Sequence, residues 1–78
     1  MTRILLLGPA REAAGTTSDV IEGATVADIL DAAVTRYGKP FAEILAVSQV
    51  WVNGDVADLL SSVGPDDEVE VLPPISGG

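Results

Sequence analysis

The 78-residue sequence contains no cysteine and no histidine. Without cysteine the chain can form no disulfide, and it has neither a thiolate nucleophile nor a thiolate ligand for a metal ion. Without histidine it lacks the most common general base and the most common metal ligand. We therefore expect no bound metal and no bound cofactor, and any chemistry must come from a partner protein or from an unusual group of the chain.

Long apolar runs are absent as well. No segment approaches the roughly 18 apolar residues that cross a bilayer, and the run at residues 4–7 is shorter than the core of a signal peptide, which needs about 7 residues or more. With 47% hydrophobic residues, the chain is suited to one small packed domain. We expect this domain to be cytoplasmic.

Basic residues are few, and all of them precede residue 40. Four bases stand against twelve acids, and the formal net charge is -8. Residues 40–78 contain no base, and their acids are Glu43, Asp55, Asp58, Asp66, Asp67, Glu68 and Glu70. Because this charge repels phosphate groups, we expect no nucleic-acid partner and favour a partner with a basic surface. A solvated acidic surface that only aids solubility is the alternative.

The clearest local signal predicts a helix that begins after Thr25 and ends at Gly38. Apolar residues recur at the helical spacing and form one continuous stripe. They are Val26, Ile29, Leu30, Ala33 and Tyr37. Thr25 is a good N-cap, and Asp28 lies near the positive end of the helix dipole. Gly38 supplies a C-terminal stop, and Pro40 prevents continuation.

Short apolar or β-branched runs between turn residues predict four strands. They are Arg3–Leu7, Thr17–Ile21, Gln49–Val52 and Glu68–Leu72. The second is weakly patterned and is expected at a sheet edge. Asn53-Gly54 is a type I′ hairpin signal, and residues 55–60 contain a short return strand or turn. Residues 11–14 and 41–45 predict short helices or turns.

This order of elements predicts an α+β domain over residues 1–72, with a mixed sheet packed against one main helix. The first and last strands are both rich in Val, Leu and Ile. We therefore expect them to be central neighbours in the sheet. The predicted architecture is the β-grasp.

Residues 73–78 read Pro-Pro-Ile-Ser-Gly-Gly and predict an extended C-terminal tail. Pro73 and Pro74 have no backbone N–H, so they cannot extend the sheet and instead hold a polyproline-like conformation. Gly77 and Gly78 have no Cβ, so a narrow channel can close around their backbone. Such a tail, which reaches at most about 20 Å, can deliver the carboxylate of Gly78 into the active site of another protein.

Four segments of the sequence carry a more specific pattern. They are residues 10–15 (AREAAG), 24–30 (ATVADIL), 52–54 (VNG) and 67–78 (DEVEVLPPISGG). Together they resemble the MoaD/ThiS family of ubiquitin-like sulfur carriers, and within it most closely the branch of small, sulfur-carrying subunits of molybdopterin synthase. The Pro-Pro pair two residues before the Gly-Gly is typical of that branch. The chain departs from the family at Leu72, where many members have Phe, and at Trp51, where a small residue is common.

The resemblance implies a reaction at Gly78, with the chain acting as a sulfur-donating subunit that is not catalytic alone. A ubiquitin-activating-like enzyme uses ATP to adenylate the Gly78 carboxylate, and a sulfur donor protein converts the product into a thiocarboxylate. The tail then enters the large subunit of molybdopterin synthase, where the sulfur passes to cyclic pyranopterin monophosphate in molybdenum cofactor biosynthesis. The residues of the inserted tail are Pro73, Pro74, Ile75, Ser76 and Gly77.

A partner surface is predicted around Trp51 and three acids. If Val50 and Val52 face the main helix, Trp51 lies on the open face of the sheet. The alternative is that Trp51 caps a small satellite core. The acids are Asp66, Asp67 and Glu70, and we expect their replacement by amides to leave the fold intact. Solvated turn residues are the alternative for the acids.

Two other functions stay open from the sequence. The first is a related sulfur carrier for thiamine, cysteine or tRNA thiolation, or a ubiquitin-like protein modifier. The second is a non-catalytic interaction module in which the tail has no reaction. The protein that accepts the sulfur distinguishes the first alternative from the molybdopterin role, and the sequence does not contain it.

Overall fold

The computed structural model describes residues 1–74, which form five strands and three helices. In chain order the elements are β1 (Thr2–Leu6), α1 (Pro9–Ala14), β2 (Ser18–Ile21), α2 (Val26–Tyr37), α3 (Lys39–Leu45), β3 (Gln49–Val52), β4 (Asp55–Val56) and β5 (Glu68–Leu72). The longest of these helices has 12 residues, and none in the described part of the chain is long and apolar enough to cross a membrane.

The strands form a mixed sheet in the order β2-β1-β5-β3-β4. β1 and β5 run parallel at its centre, with Ile4 beside Val69 and Leu6 beside Val71. β3 pairs with the other edge of β5 in the antiparallel sense, while β2 and β4 occupy the two sheet edges. The predicted central pairing of the first and last strands is confirmed. The fold is the predicted β-grasp.

One face of the sheet and the apolar stripe of α2 together form the core. Side chains along a strand alternate between the two faces, so every second residue of β1 and β5 points towards the helix. The buried apolar residues are Ile4, Leu6, Ala10, Ile21, Val26, Ile29, Leu30, Ala33, Phe41, Val69 and Val71. Val50 and Val52 of β3 pack against this cluster. These two valines therefore face the helix. The sequence predicts that Trp51 lies on the open face of the sheet when they do so.

Helix α2 has the ends that the sequence predicts. The Thr25 side chain accepts a hydrogen bond from the N–H of Asp28 at 3.2 Å, which confirms Thr25 as the N-cap. The helix ends at Gly38, which has a φ of 90° that most other residues avoid. α3 then starts two residues earlier than predicted, because Pro40 lies in its first turn, where a missing N–H breaks no helical bond.

The short return strand that the sequence predicts within residues 55–60 is β4, and after it the chain leaves the sheet to cap α2. The N–H groups of Val26 and Ala27 donate to the carbonyls of Ser61 at 3.0 Å and Leu59 at 2.9 Å. The first N–H groups of a helix have no partner within the helix, so these two carbonyls satisfy otherwise unpaired donors. β4 is therefore two residues long.

A polar cluster joins the other edge of the sheet to the C-terminal turn of α2. The Tyr37 hydroxyl donates to Asp19 of β2 at 2.7 Å, and the Arg36 guanidinium donates to the same carboxylate at 3.0 Å. Arg36 also donates to the carbonyl of Val20 at 3.1 Å. Burial, followed by the hydrogen bond to Asp19, raises the pKa of Tyr37 to about 12. The Tyr37 hydroxyl is also the main reason why the pKa of Asp19 lies below its usual value.

We predict that Tyr37→Phe lowers the free energy of unfolding by about 1 kcal/mol at pH 7, because one hydrogen bond is lost while the ring keeps its edge contact with Phe41. Because the pKa of Tyr37 is raised in the folded protein, the stabilisation from its hydroxyl is fully present below the unfolded-state pKa of about 10. This stabilisation is lost as the pH rises through the folded-state pKa of about 12. The difference in the free energy of unfolding between wild type and Tyr37→Phe should therefore become smaller at alkaline pH. Urea unfolding of both proteins at pH 7 and near pH 11 measures this difference.

The double variant Asp19→Asn/Tyr37→Phe provides the control for this prediction. If the two groups act on each other, the double variant should lose less stability than the sum of the two single variants. The coupling would be contradicted if the losses in free energy of unfolding were strictly additive and the stability of Tyr37→Phe depended on pH in the same way as that of wild type.

Candidate functional site

The predicted tail starts from a strand that is held on both edges. β5 pairs with β1 on one side and with β3 on the other, and its last residue, Leu72, is opposite Gln49. Pro73 is half-buried and Pro74 is exposed, and both follow the strand directly. The base of the tail is therefore fixed in the middle of the sheet. The predicted site residues Ile75, Ser76, Gly77 and Gly78 lie outside the described residues.

A shallow apolar groove lies at the base of the tail. Its volume is about 360 Å³, and it is lined by Val47, Gln49, Leu72, Pro73 and Pro74. Val47, from the turn before β3, is 65% exposed. Because the two prolines have no N–H and Leu72 offers an apolar surface, this groove suits an apolar side chain of a partner rather than an ion.

Trp51 lies on the open face of the sheet, as predicted. Its neighbours across the strands are Glu70 on β5 and Val56 on β4. Trp51 is half-buried, so part of its ring system covers neighbouring side chains while the rest remains accessible. The indole Nε1 is buried, and among the described residues it has no hydrogen-bond partner. Contact with a partner stays a prediction for this residue.

A second groove lies beside Trp51, on the β3–β4 side of the sheet. It has a volume of about 300 Å³ and is lined by Gln49, Val50, Trp51, Val56, Ala57 and Leu59. Gln49 lines both this groove and the groove at the tail base. Because Val50 faces the helix and Trp51 faces the open side, this groove lies at the β3–β4 edge of the sheet, and the sequence could indicate only Trp51 in it.

The acid Asp67 belongs to a hydrogen-bond network that holds two turns together. Its carboxylate accepts from the Asn53 side chain and from the N–H of Gly64, both at 2.8 Å. The Asn53 side chain in turn accepts from the N–H of Glu68 at 2.9 Å. These two donors, with Asn53 first, hold the pKa of Asp67 below its usual value. Asn53 has a φ of 52°, which fits the predicted hairpin turn.

Two of the three predicted acids also accept hydrogen bonds within the turns, and the expectation that their replacement leaves the fold intact stays a prediction. Asp67 is the acceptor in the turn network, and the Glu70 carboxylate accepts from the N–H of Gly54 at 3.2 Å. Both oxygens of Asp67 accept, so an amide there would place an N–H₂ group opposite one of the two donors. At Glu70 only one oxygen accepts, and an amide oxygen can replace it. Asp66 is exposed and is the member of the set suited to a test of charge alone.

The structure also places the acidic turn away from the tail. Asp66 and Asp67 precede β5, whereas Pro73 follows it. The four residue steps from Glu68 to Leu72 span about 13 Å at the usual rise of a strand, which exceeds the Debye length of about 8 Å at physiological salt. Asp66 and Asp67 therefore lie at the end of β5 opposite the base of the tail.

Comparison with known proteins gives a family and several similar structures. The model of the ThiS family matches residues 4–78. Among curated proteins, none matches the chain. Among solved structures, that of small archaeal modifier protein 1 from Haloferax volcanii is 30% identical, with a TM-score of 0.79, and the match covers 99% of this chain and 98% of that chain.

Two further structures are more distant in sequence and share the fold. A chain of the BexX/CysO complex from Amycolatopsis orientalis is 24% identical, with a TM-score of 0.82 and complete coverage of both chains at 100%. A chain of the complex of subunits 1 and 2 of molybdopterin-converting factor from Helicobacter pylori is 22% identical, with a TM-score of 0.72, and the match covers 99% of this chain and 97% of that chain.

We predict that Trp51→Phe leaves the free energy of unfolding within about 1 kcal/mol of wild type or raises it, because it removes a buried N–H without a partner and keeps an aromatic ring. Trp51→Ala should cost about 2–3 kcal/mol, less than the loss of a fully buried Trp, because the side chain is half-buried. Urea unfolding of both variants gives the two values. If Trp51→Phe lowers the free energy of unfolding as much as Trp51→Ala does, the prediction is contradicted, and the indole N–H forms a hydrogen bond that stabilises the fold.

Proposed function

The chain belongs to the ThiS family, and from that premise we propose that it is a sulfur carrier whose working group is the carboxylate of Gly78. The observation that supports this proposal most directly is the position of Pro73-Pro74. They follow the central strand of the sheet, so a tail that begins there starts from a rigid base. In sequence the pair is followed by Ile75-Ser76-Gly77-Gly78, which carry no bulky group at the end.

In the proposed reaction the chain supplies the acyl group and its partners supply the catalysis. A ubiquitin-activating-like enzyme joins the Gly78 carboxylate to AMP from ATP and releases pyrophosphate. Sulfur from a donor protein then displaces AMP at the acyl carbon and leaves a thiocarboxylate. The chain has no cysteine and no histidine, so it offers no thiol side chain that could intercept the activated acyl group. We place this ATP-dependent reaction in the cytoplasm.

We further propose that the sulfur is used to make molybdopterin. The thiocarboxylated tail enters the large subunit of molybdopterin synthase and gives its sulfur to cyclic pyranopterin monophosphate. The Pro-Pro pair before the terminal Gly-Gly supports this client, and so does the similarity in fold to a chain of the molybdopterin-converting factor complex. The glycines at positions 77 and 78 leave space for a channel that closes on bare backbone.

A protein-modifier function is the second candidate, and it rests on a specific observation. The structure with 30% identity is that of a small archaeal modifier protein. In that case the activated Gly78 carboxyl group would form an isopeptide bond with a lysine amine of another protein. Activation by an adenylating enzyme is common to both candidates, and only the acceptor differs. A carrier for cysteine, thiamine or tRNA thiolation remains the related alternative.

Intact-mass measurement after co-expression with the adenylating enzyme and the sulfur donor tests the proposal. A sulfur carrier should gain the mass difference between sulfur and oxygen at its C-terminus. The purified thiocarboxylate, mixed with the large subunit and cyclic pyranopterin monophosphate, should then produce molybdopterin, with two carrier chains converted back to the carboxylate per product because the dithiolene holds two sulfur atoms. Lysine adducts on other proteins without any thiocarboxylate would favour the modifier. An unchanged mass of the chain together with no lysine adducts on other proteins, in the presence of both enzymes and ATP, would refute both candidates.

We predict that one alanine added after Gly78 abolishes thiocarboxylation and leaves the melting temperature unchanged. The extra residue moves the reacting carboxyl group by about 3.5 Å, and such a misplacement is enough to prevent attack on ATP. A second variant, Gly77→Val, keeps the C-terminal carboxylate at residue 78 but adds a side chain beside it. This variant should also block thiocarboxylation. Normal sulfur transfer by the extended protein, without trimming, would exclude Gly78 as the working group.

We predict that the acidic end of the sheet affects association only at low salt. Asp55→Asn/Asp66→Asn removes two exposed charges from the end opposite the tail. The association rate with the large subunit should fall at low salt, where the Debye length is about 30 Å at 0.01 M, and should stay near the wild-type rate at physiological salt, where it is about 8 Å. Stopped-flow mixing across salt concentrations measures both rates.

The control for this prediction is Asp55→Glu/Asp66→Glu, which keeps both charges. It should behave as wild type at every salt concentration. An equal loss in both double variants would indicate a direct contact rather than a long-range field. A rate that responds neither to salt nor to the amide variant would show that these acids serve solubility alone.

A further inference from the structure

The outer edge of β2 is a place where another strand could join the sheet, because β2 pairs with β1 alone. The N–H of Leu6 donates to the carbonyl of Thr17 at 2.7 Å. In an antiparallel ladder, pairs that exchange hydrogen bonds alternate with pairs that do not. Since the carbonyl of Thr17 points towards β1, the backbone groups of Ser18 and Val20 point outwards. Such outward N–H and C=O groups are a template for strand addition.

Both outward groups of Val20 are occupied by side chains of the same chain. Its N–H donates to Oδ1 of Asp19 at 2.8 Å, and its carbonyl accepts from the Arg36 guanidinium at 3.1 Å. Arg36 is itself held by Oδ2 of Asp19, to which it donates at 3.0 Å. One pair of charged side chains therefore covers a donor and an acceptor of the edge.

The outward carbonyl of Ser18 is occupied as well. It accepts from the Thr16 hydroxyl at 2.8 Å. Of the outward groups of β2, the N–H of Ser18 is the one that has no partner within the described part of the chain. We call the side chains of Thr16, Asp19 and Arg36 the edge cap. They leave an incoming strand almost no free backbone group with which to pair.

The sequence of β2 contains little else that opposes strand addition. Residues 16–21 read TTSDVI, and Thr, Val and Ile are types that are enriched in strands. Val20 is 47% exposed, so an apolar side chain is available beside the edge. The segment has no proline and no lysine, the residues that often protect edge strands. Protection of this edge therefore depends on the edge cap.

The opposite edge of the sheet is protected in a different way. β4 has two residues, and a very short edge strand is itself a poor template. Ala57, which follows β4, donates from its N–H to the carbonyl of Val50 at 2.9 Å. By the same alternation, Val56 is the residue of β4 whose backbone groups point outwards. β2 has four residues and two outward positions, so it is the edge that requires a cap.

We propose that the edge cap prevents a second copy of the chain from pairing with β2. Two copies of β2 related by a two-fold axis would pair in the antiparallel sense, with Ser18 of one copy opposite Val20 of the other. Every outward backbone group would then find a partner. In the wild type the edge cap occupies these groups, and the Asp19 carboxylates of the two copies would face each other, which is unfavourable. This proposal does not depend on the reaction at Gly78.

The double variant Asp19→Ala/Arg36→Ala tests the proposal, since it removes both contacts to Val20 and keeps the formal net charge. Sedimentation velocity of the full chain at physiological salt, where the Debye length is about 8 Å, measures association. At about 1 mM, which populates dimers with dissociation constants up to that value, wild type should sediment as a monomer and the double variant largely as a dimer. If the double variant does not fold, Asp19→Asn/Arg36→Ala keeps an oxygen acceptor for Tyr37 and should still associate, to a smaller extent.

Two controls separate the effect of the edge from effects of charge and stability. Arg11→Ala/Glu12→Ala removes an exposed base and an exposed acid from α1 and should stay monomeric. Tyr37→Phe removes a hydrogen bond to Asp19 but leaves both contacts to Val20, so it should stay monomeric too. Association of either control to the same extent as the double variant would overturn the proposal.

A proline on the edge shows where the contact lies. Ser18→Pro in the double variant removes an outward N–H and breaks no bond to β1, so the triple variant should return to a monomer. Amide hydrogen exchange of the double variant should show protection at residues 18 and 20 that increases with protein concentration. A folded double variant that stays monomeric, or association that persists with the proline, would overturn the proposal. A wild-type dimer with protection at these two residues would overturn it as well.

Discussion

The pairing of β5 on both of its edges is the constraint on which the rest of the molecule depends. β5 lies between β1 and β3, so its position is fixed by two ladders of hydrogen bonds rather than one. Its side chains at Val69 and Val71 are fully buried under α2, and these contacts set the register of the strand, because a shift of one residue would expose both valines. Whatever follows Leu72 therefore starts from the same point in every molecule.

The same strand also explains the hydrogen bonds of two of the acids. Asn53 and Gly54 form the hairpin turn of β3 and β4, and this turn is attached to β5 through Asp67 and Glu70. A short hairpin is marginal by itself, and β4 is only two residues long. The carboxylates supply the acceptors that keep the hairpin beside β5. Part of the acidic composition therefore supports local structure, although these carboxylates keep their charge, since their donors are neutral groups.

The elements with a repeating pattern could be predicted from the sequence, and those fixed by distant backbone groups could not. The stripe of α2, the Thr25 cap, the alternation around Val69 and the hairpin signal at Asn53-Gly54 each depend on nearby side chains, so the sequence carries them. The cap that residues 59 and 61 give to α2 uses backbone carbonyls, which leave no sequence signal. For the same reason the length of β4 and the exposure of Leu59 and Leu60 could not be predicted.

The two edges of the sheet end in different ways. At β2 the edge is tied to α2 by Asp19, Arg36 and Tyr37, a polar cluster whose bonding groups already have partners. At β4 the edge is short, and the chain beyond it presents Leu59 and Leu60 to solvent. Since the grooves beside Trp51 and at the tail base share Gln49, the apolar surface lies on the β3–β4 side of the tail. A partner guided by apolar contact would therefore approach from that side, whereas the acidic turn before β5 could act on it only over a distance that physiological salt screens.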